Sequence, residues 1–136
     1  MERKQFLKTA LLVNAAIIAK PLLAMSKGFV IADFPLSNNN VTYYKKSDAP
    51  YDLLRKGFNK RIEKFPQIIA LCSTKEGVAQ AVKYAVANKL PIAIKSGGHC
   101  MEGFSSNNGG MVINLSLLNK VEWVEDFVVK VGPGCT

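Results

Sequence analysis

The sequence predicts an α+β fold, with a small, mostly parallel sheet flanked by helices. A βαβ unit is followed by a glycine loop and a hairpin. Three observations carry that expectation. Gln67-Ile68-Ile69-Ala70-Leu71 is a short apolar run bounded by Pro66 and Ser73, the length and composition of a buried strand. Ser73-Thr74-Lys75-Glu76 has the spacing of a capping box, in which the serine caps a backbone N–H and the glutamate reaches back. Pro91-Ile92-Ala93-Ile94-Lys95 is a second strand. Strand, capped helix and strand imply parallel pairing with a right-handed crossover.

The helix of this unit is expected to run to about Ala87. Val78, Val82 and Ala85 share one face with Ala81 and Tyr84 beside them, and Asn88 and Pro91 end it. An earlier helix is expected from Tyr51 to about Lys64, behind Pro50 and interrupted by Gly57. A short strand fits Phe29-Val30-Ile31, and Ser37-Asn38-Asn39-Asn40 is a turn or linker. After the second strand, Ser96 to Gly110 is a loop rich in Gly, Ser and Asn. Met111-Val112-Ile113-Asn114-Leu115 is a third strand. Val121–Val124 and Phe127–Val131 suit a hairpin around Glu125-Asp126, and Gly132-Pro133-Gly134 is a turn.

Composition narrows the class. The 136 residues are 49% apolar and 21% charged, which is globular rather than disordered or multi-span membrane composition. The length suits one ordinary domain or part of a larger one. Ending just after a strand and a turn, the chain reads as truncated. The net charge of +8 suits an anionic ligand or nucleic acid and selects neither. Cys72, Cys100 and Cys135 are widely spaced, no CxxC pair exists, and His99 is the single histidine, so no zinc site is expected. A disulfide framework is not expected at this density, although one bridge with a free thiol left over stays open.

Residues 1–24 read as an export signal. Arg3-Lys4-Gln5-Phe6-Leu7-Lys8 is a basic start, Thr9 to Ala19 an apolar run broken only by Asn14, and Lys20-Pro21 precede Leu22-Leu23-Ala24. The run is well short of the roughly 20 residues that span a bilayer, so no stable membrane span is expected. The start resembles a twin-arginine signal, with Lys4 in place of the second arginine. A general secretory signal has similar features. The expected organisation is therefore an export signal over 1–24, an extension over 25–50, and the folded segment over 51–136.

The segment that carries chemistry is Lys95-Ser96-Gly97-Gly98-His99-Cys100-Met101-Glu102-Gly103-Phe104-Ser105. Adjacent glycines let a backbone approach a ligand closely and adopt positive φ. Successive N–H groups in such a loop form an anion-binding nest, for which a pyrophosphate is a natural occupant. A plain surface loop is the bland alternative. No Gly-Lys-Ser/Thr follows, so this is not a Walker A loop. The GxGxxG fingerprint of nicotinamide sites is also absent. His99 inside this loop suits either a structural hydrogen bond or chemistry.

Ser96-Gly97-Gly98-His99 followed by Gly103 and Ser105 resembles the FAD-binding (PCMH-type) domain of the vanillyl-alcohol oxidase and berberine-bridge-enzyme-like oxidoreductases. The resemblance runs over residues 51–136, the N-terminal part of that domain. It includes Phe58-Asn59, the strand after Pro66, the capped helix, Leu90–Lys95, Gly110–Ser116 and Val131–Thr136. It implies that the backbone of Ser96, Gly97, Gly98, His99, Cys100 and Gly103 holds the FAD pyrophosphate. It further implies that His99 bonds covalently to the 8α-methyl of the flavin. Members oxidise alcohols, sugars and secondary metabolites, passing hydride to the flavin. The family's substrate domain and catalytic base lie beyond this segment, so no catalytic residue is assigned; Glu102 reads as a solvated loop carboxylate. Some members add a cysteine link to the flavin, but Cys100 and Cys135 do not occupy its position. Cys72 and Cys135 read as packing.

Two other functions compete. Arg55, Lys56, Lys60, Arg61 and Lys64 with Phe58 and Phe65 suit a basic binding module for nucleic acid, against the reading of a solvated helix face, which is favoured. A truncated or degenerate product without activity is the third. The expected partners are FAD and, in the complete enzyme, a small-molecule substrate. No nucleic acid is expected, and oligomeric state is left open.

Overall fold

The computed structural model describes residues 34–136. The expected export signal and the strand expected at 29–31 lie outside the described residues. The elements are β1 (Val41–Tyr44), α1 (Tyr51–Arg55), β2 (Ile68–Cys72), α2 (Lys75–Ala87), β3 (Ile92–Lys95), β4 (Met111–Asn114), β5 (Val121–Glu125) and β6 (Val128–Val131).

The first four strands in space run β1-β2-β4-β3, and β5 pairs with β6 as a separate ribbon. β2, β4 and β3 are parallel, and β1 joins β2 antiparallel. The expected mostly parallel sheet is present. Its βαβ unit differs in one respect: β2 and β3 are not neighbours, because β4 inserts between them. β4 has the reason to be central. All four of its residues are buried, whereas Ile92 and Ile94 of β3 stay partly exposed at the edge.

Register sorts the core into two faces, since side chains alternate across a sheet. Tyr44 pairs with Ile69, Ile69 with Val112, and Val112 with Ala93. This row packs against Tyr51 and Leu54 of α1. The opposite row, Tyr43, Ala70 and Ile113, faces α2, as the Tyr43–Tyr84 ring contact at 6.1 Å confirms. The Tyr51 hydroxyl donates to the Pro66 carbonyl at 2.7 Å inside the core. Tyr51→Phe is therefore expected to cost about 1 kcal/mol in urea unfolding, with the ring's packing retained.

α2 is capped one residue later than its sequence suggests. Thr74 is the cap, accepting the Gly77 N–H at 3.1 Å. Ser73 instead donates its hydroxyl to the carbonyls of Asn39 and Asn40, tying β1's entry to the helix. With Thr74 as cap, the third helical residue is Gly77, which has no side chain to reach back. The buried stripe is Gly77, Ala81 and Ala85, while Val82 faces outward. Small residues there let α2 lie close on the sheet.

The earlier helix stops at Arg55 instead of about Lys64. Lys56 is extended and Gly57 runs beside Gly98, where a Cβ would stand 3.0 Å from the Gly98 carbonyl oxygen. Contacts with the glycine loop replace helical bonds from there on. β1 lies inside the segment set apart as an extension. Its burial alternates, with Val41 and Tyr43 buried.

β5 and β6 form the expected hairpin, turning at Asp126-Phe127 with Phe127 at φ 65°. Every residue of both strands is exposed, including Trp123 at 76%. A Lys130–Glu122 pair at 3.5 Å crosses the ribbon.

Cys72 is fully buried, and burial pushes its thiol up to about 11 from 9.0. An unfolded thiol ionises first, so this group's contribution to stability is complete below about 9 and declines as pH rises from there towards 11. At pH 8, iodoacetamide is expected to label partly exposed Cys100 in the native protein, and Cys72 only after denaturation. Mass spectrometry of the alkylated peptides reads the difference.

Candidate cofactor-binding site

The loop from Ser96 to Gly110 leaves the C-terminal end of β3, on the edge of the parallel strands. Ligands bind at the carboxyl ends of strands in open α/β sheets for topological reasons, and the loop lies at that end. A cleft of about 330 Å³ opens there, lined by Ile94, Ser96, Gly97, Gly98, His99, Cys100 and Ser105 from the strand and loop. Cys135 and Thr136 close its other side. A larger groove of about 380 Å³ lies between the start of α2 and the hairpin; it is mostly apolar and shares no residue with the glycine loop.

Five of the six residues expected to hold the cofactor therefore line one cleft. Gly103 does not. It is buried at φ +76° against Ile62 and donates its N–H to the Cys100 carbonyl at 3.3 Å, so it shapes the loop from behind. The backbone N–H groups of Gly97, Gly98, His99 and Cys100 have no protein acceptor among the described residues. Four successive N–H groups without a protein acceptor are the donors from which an anion-binding nest is built. A Cβ on Gly97 would meet Thr136, on the cleft's other side, at 2.6 Å, whereas one on Gly98 would meet Lys95, behind the loop, at 2.9 Å. These donors and this space fit a pyrophosphate.

His99 is exposed at the cleft. Its ring meets Phe58 edge-on, with centroids 5.9 Å apart and planes at 71°. Neither ring nitrogen has a hydrogen-bond partner among the described residues. An imidazole so placed has a lone pair available for bond formation. The Cys100 sulfur accepts the Phe104 N–H at 3.3 Å and lies 3.5 Å from a Glu102 carboxylate oxygen, so both close the turn. The Ser96 hydroxyl donates to the Pro133 carbonyl, joining the strand end to the last turn. Cys135 is partly exposed and its thiol reaches the Asn119 carbonyl at 3.2 Å, a surface role rather than core packing.

The loop is held by residues 57–67, a clasp whose part up to about Lys64 was expected to be helical. Phe58 N–H donates to the Gly98 carbonyl at 2.8 Å, and the Asn59 amide to the Met101 carbonyl at 2.8 Å. The Lys64 ammonium spans the carbonyls of Gly103 and Ser106, and Phe65 and Gln67 bond to Asn108 and Gly110. The basic cluster is thereby divided. Arg55 is buried, paired with Asp52 at 2.6 Å and stacked 4.3 Å over Phe65, which holds the Asp52 carboxyl below its usual range. Lys64 serves the loop. Lys56, Lys60 and Arg61 are left exposed.

Sequence reasoning missed Lys95 as well. It is only 8% exposed and donates to the Leu54 carbonyl at 2.7 Å and to the Lys56 carbonyl. The alternation of β3 carried the signal, since Ala93 and Lys95 share the inner face.

Among the described residues no group of three metal-ligating side chains comes together, and no helix is long and apolar enough to cross a membrane. A mostly parallel sheet with a nest of free amides at a strand end defines a cofactor-binding α+β subdomain. Residues 66–136 match the family described as "FAD binding domain". The chain thus belongs to the FAD-binding domain family of the vanillyl-alcohol oxidase and berberine-bridge-enzyme-like oxidoreductases.

Relatives agree. The chain is 36% identical over 81 residues, 60% of its length, to the uncharacterised FAD-linked oxidoreductase YgaK of Bacillus subtilis. It is 36% identical over 87 residues, 64% of its length, to (R)-6-hydroxynicotine oxidase of Paenarthrobacter nicotinovorans. Its fold matches the crystal structure of 6-hydroxy-D-nicotine oxidase from Arthrobacter nicotinovorans with a TM-score of 0.68 and 30% identity, covering 78% of this chain. It spans only 18% and 19% of the two curated relatives and 23% of the solved chain.

Proposed function

We propose that this chain forms the flavin-cradling part of an exported FAD-dependent oxidoreductase. The observation that carries the reading is the run of free N–H groups from Gly97 to Cys100, beside a His99 whose ring nitrogens make no hydrogen bond among the described residues, in a chain of the FAD-binding family. The amides of Gly97, Gly98, His99 and Cys100 hold the pyrophosphate, with Ser96 fixing the strand end and Gly103 the turn. His99 would be the residue that holds the flavin covalently, through a ring nitrogen. Phe58 meets that imidazole edge-on. When bound, the flavin supplies two-electron redox chemistry towards an alcohol, sugar or secondary-metabolite substrate. Export rests on the basic, then apolar, character of residues 1–24.

The test is a denaturing gel of the full-length natural gene product, acid-soaked and viewed under ultraviolet light. A fluorescent band is expected, and His99→Ala is expected to abolish it while leaving dissociable FAD on the folded protein. A wild-type band without fluorescence, from protein that still carries FAD, removes the covalent bond and keeps the cradle. Protein that takes up no FAD removes both.

A further inference from the structure

Lys95 stands where a core residue belongs. It shares the inner face of β3 with Ala93, two residues away, and it is 8% exposed. Its ammonium donates only to carbonyls, those of Leu54 and Lys56 at the end of α1. No ion pair of Lys95 exists among the described residues. Two carbonyls take two of its three N–H donors and do not neutralise its charge. A buried charge without a counter-ion carries a large desolvation penalty. A neutral donor closes the end of a five-residue helix without that penalty.

The side chain lies directly behind the cradle. Its Cε is 2.9 Å, and its Nζ 3.8 Å, from where a Cβ on Gly98 would stand. Gly98 itself lines the cleft and Lys95 does not, so one turn of main chain separates the charge from the free amides. Lys60 adds a second positive charge acting on the first. Burial and that neighbour together hold the Lys95 ammonium below the ordinary lysine range.

We infer that Lys95 is the buried counter-charge of an anion in the glycine-loop cleft, acting on a cofactor pyrophosphate through the Gly97–Gly98 turn. The inference rests on the reading that this loop holds a pyrophosphate. Lys95 is a positioning residue: it touches the loop, and the loop's amides touch the ligand. Its charge contributes long-range attraction and keeps the amides of the turn aimed at the cleft.

The test uses the full-length protein in a His99→Ala background, where flavin binding is reversible. Dissociation constants for FAD and for riboflavin, which lacks phosphate, are measured by fluorescence quenching at several salt concentrations. Lys95→Gln keeps a hydrogen-bond donor and removes the charge; Lys95→Arg keeps the charge. With Gln, FAD affinity is expected to fall about 10-fold or more and its salt dependence to flatten, while riboflavin changes less than about 2-fold. With Arg, the preference for FAD is expected to persist. Parallel losses for both flavins, or no loss for either, overturn the counter-charge and leave the loop reading standing. A parent protein that binds FAD no more tightly than riboflavin overturns the loop reading, and the inference with it. If the Gln variant does not fold, 15N-lysine spectra of the parent decide. The Lys95 Nζ resonance is expected to move with ADP and not with adenosine, and a resonance unmoved by ADP overturns the inference.

Discussion

Gly98→Ala is expected to lower FAD affinity of the full-length protein about 10- to 100-fold, the equivalent of the roughly 1–3 kcal/mol that a residue held in a sparsely populated backbone region costs. Gly98 has φ +74°. Its new Cβ would stand 2.9 Å from a lysine carbon whose ammonium is fixed by two carbonyls, so the neighbour has little freedom to give. Relief comes only by turning the Gly97–Gly98 peptides, which redirects the amides that form the nest. Flavin content after purification and a direct dissociation constant check the effect. Gly109→Ala is the control: its φ is +70°, but nothing lies within 4 Å of the added carbon. It carries the backbone strain without touching the cleft. If both variants lose flavin equally, general loosening of the loop is responsible and the nest is not.

Gly77→Ala is expected to destabilise the fold by about 3 kcal/mol or more in denaturant unfolding, the range of severe overpacking. A Cβ there would lie 2.0 Å from the Asn40 carbonyl oxygen and 2.7 Å from its carbon. Both are backbone atoms, and Asn40 is pinned because its carbonyl accepts the Ser73 N–H and hydroxyl. α2 must lift from β1, and Ala81 and Ala85 then lose their close seat on the sheet. Alanine is the better helix former by about 1 kcal/mol, so propensity alone predicts the opposite sign. A stabilised variant would show that helix and strand separate without cost.

The sheet was legible where apolar runs are short and bounded. Ile68, Met111 and Ile92 begin their strands within one residue of expectation. β1 was legible in principle, since Val41-Thr42-Tyr43-Tyr44 is β-branched and aromatic, but the polar turn before it read as linker. The order of strands was not legible: adjacency in sequence favours β2 beside β3, and only the complete burial of β4 decides otherwise. At the site, the glycine loop and His99 stood out by residue type. Lys95 and the clasp did not, because their roles arise from contacts about 40 residues apart. A charge run such as Arg55 to Lys64 looks the same in sequence whether it faces water or grips a loop.

The clasp has a consequence for how such a protein tolerates change. Four of the contacts that fix the loop use its carbonyls, those of Gly98, Met101, Gly103 and Ser106. The ligand-facing donors are likewise main-chain amides. Side chains at His99, Met101 and Phe104 make no hydrogen bond that holds this frame, whereas the Cys100 sulfur helps to close its turn. Exchange of the His99 side chain is therefore expected to leave the loop's main-chain frame in place, so that position can vary while the scaffold persists.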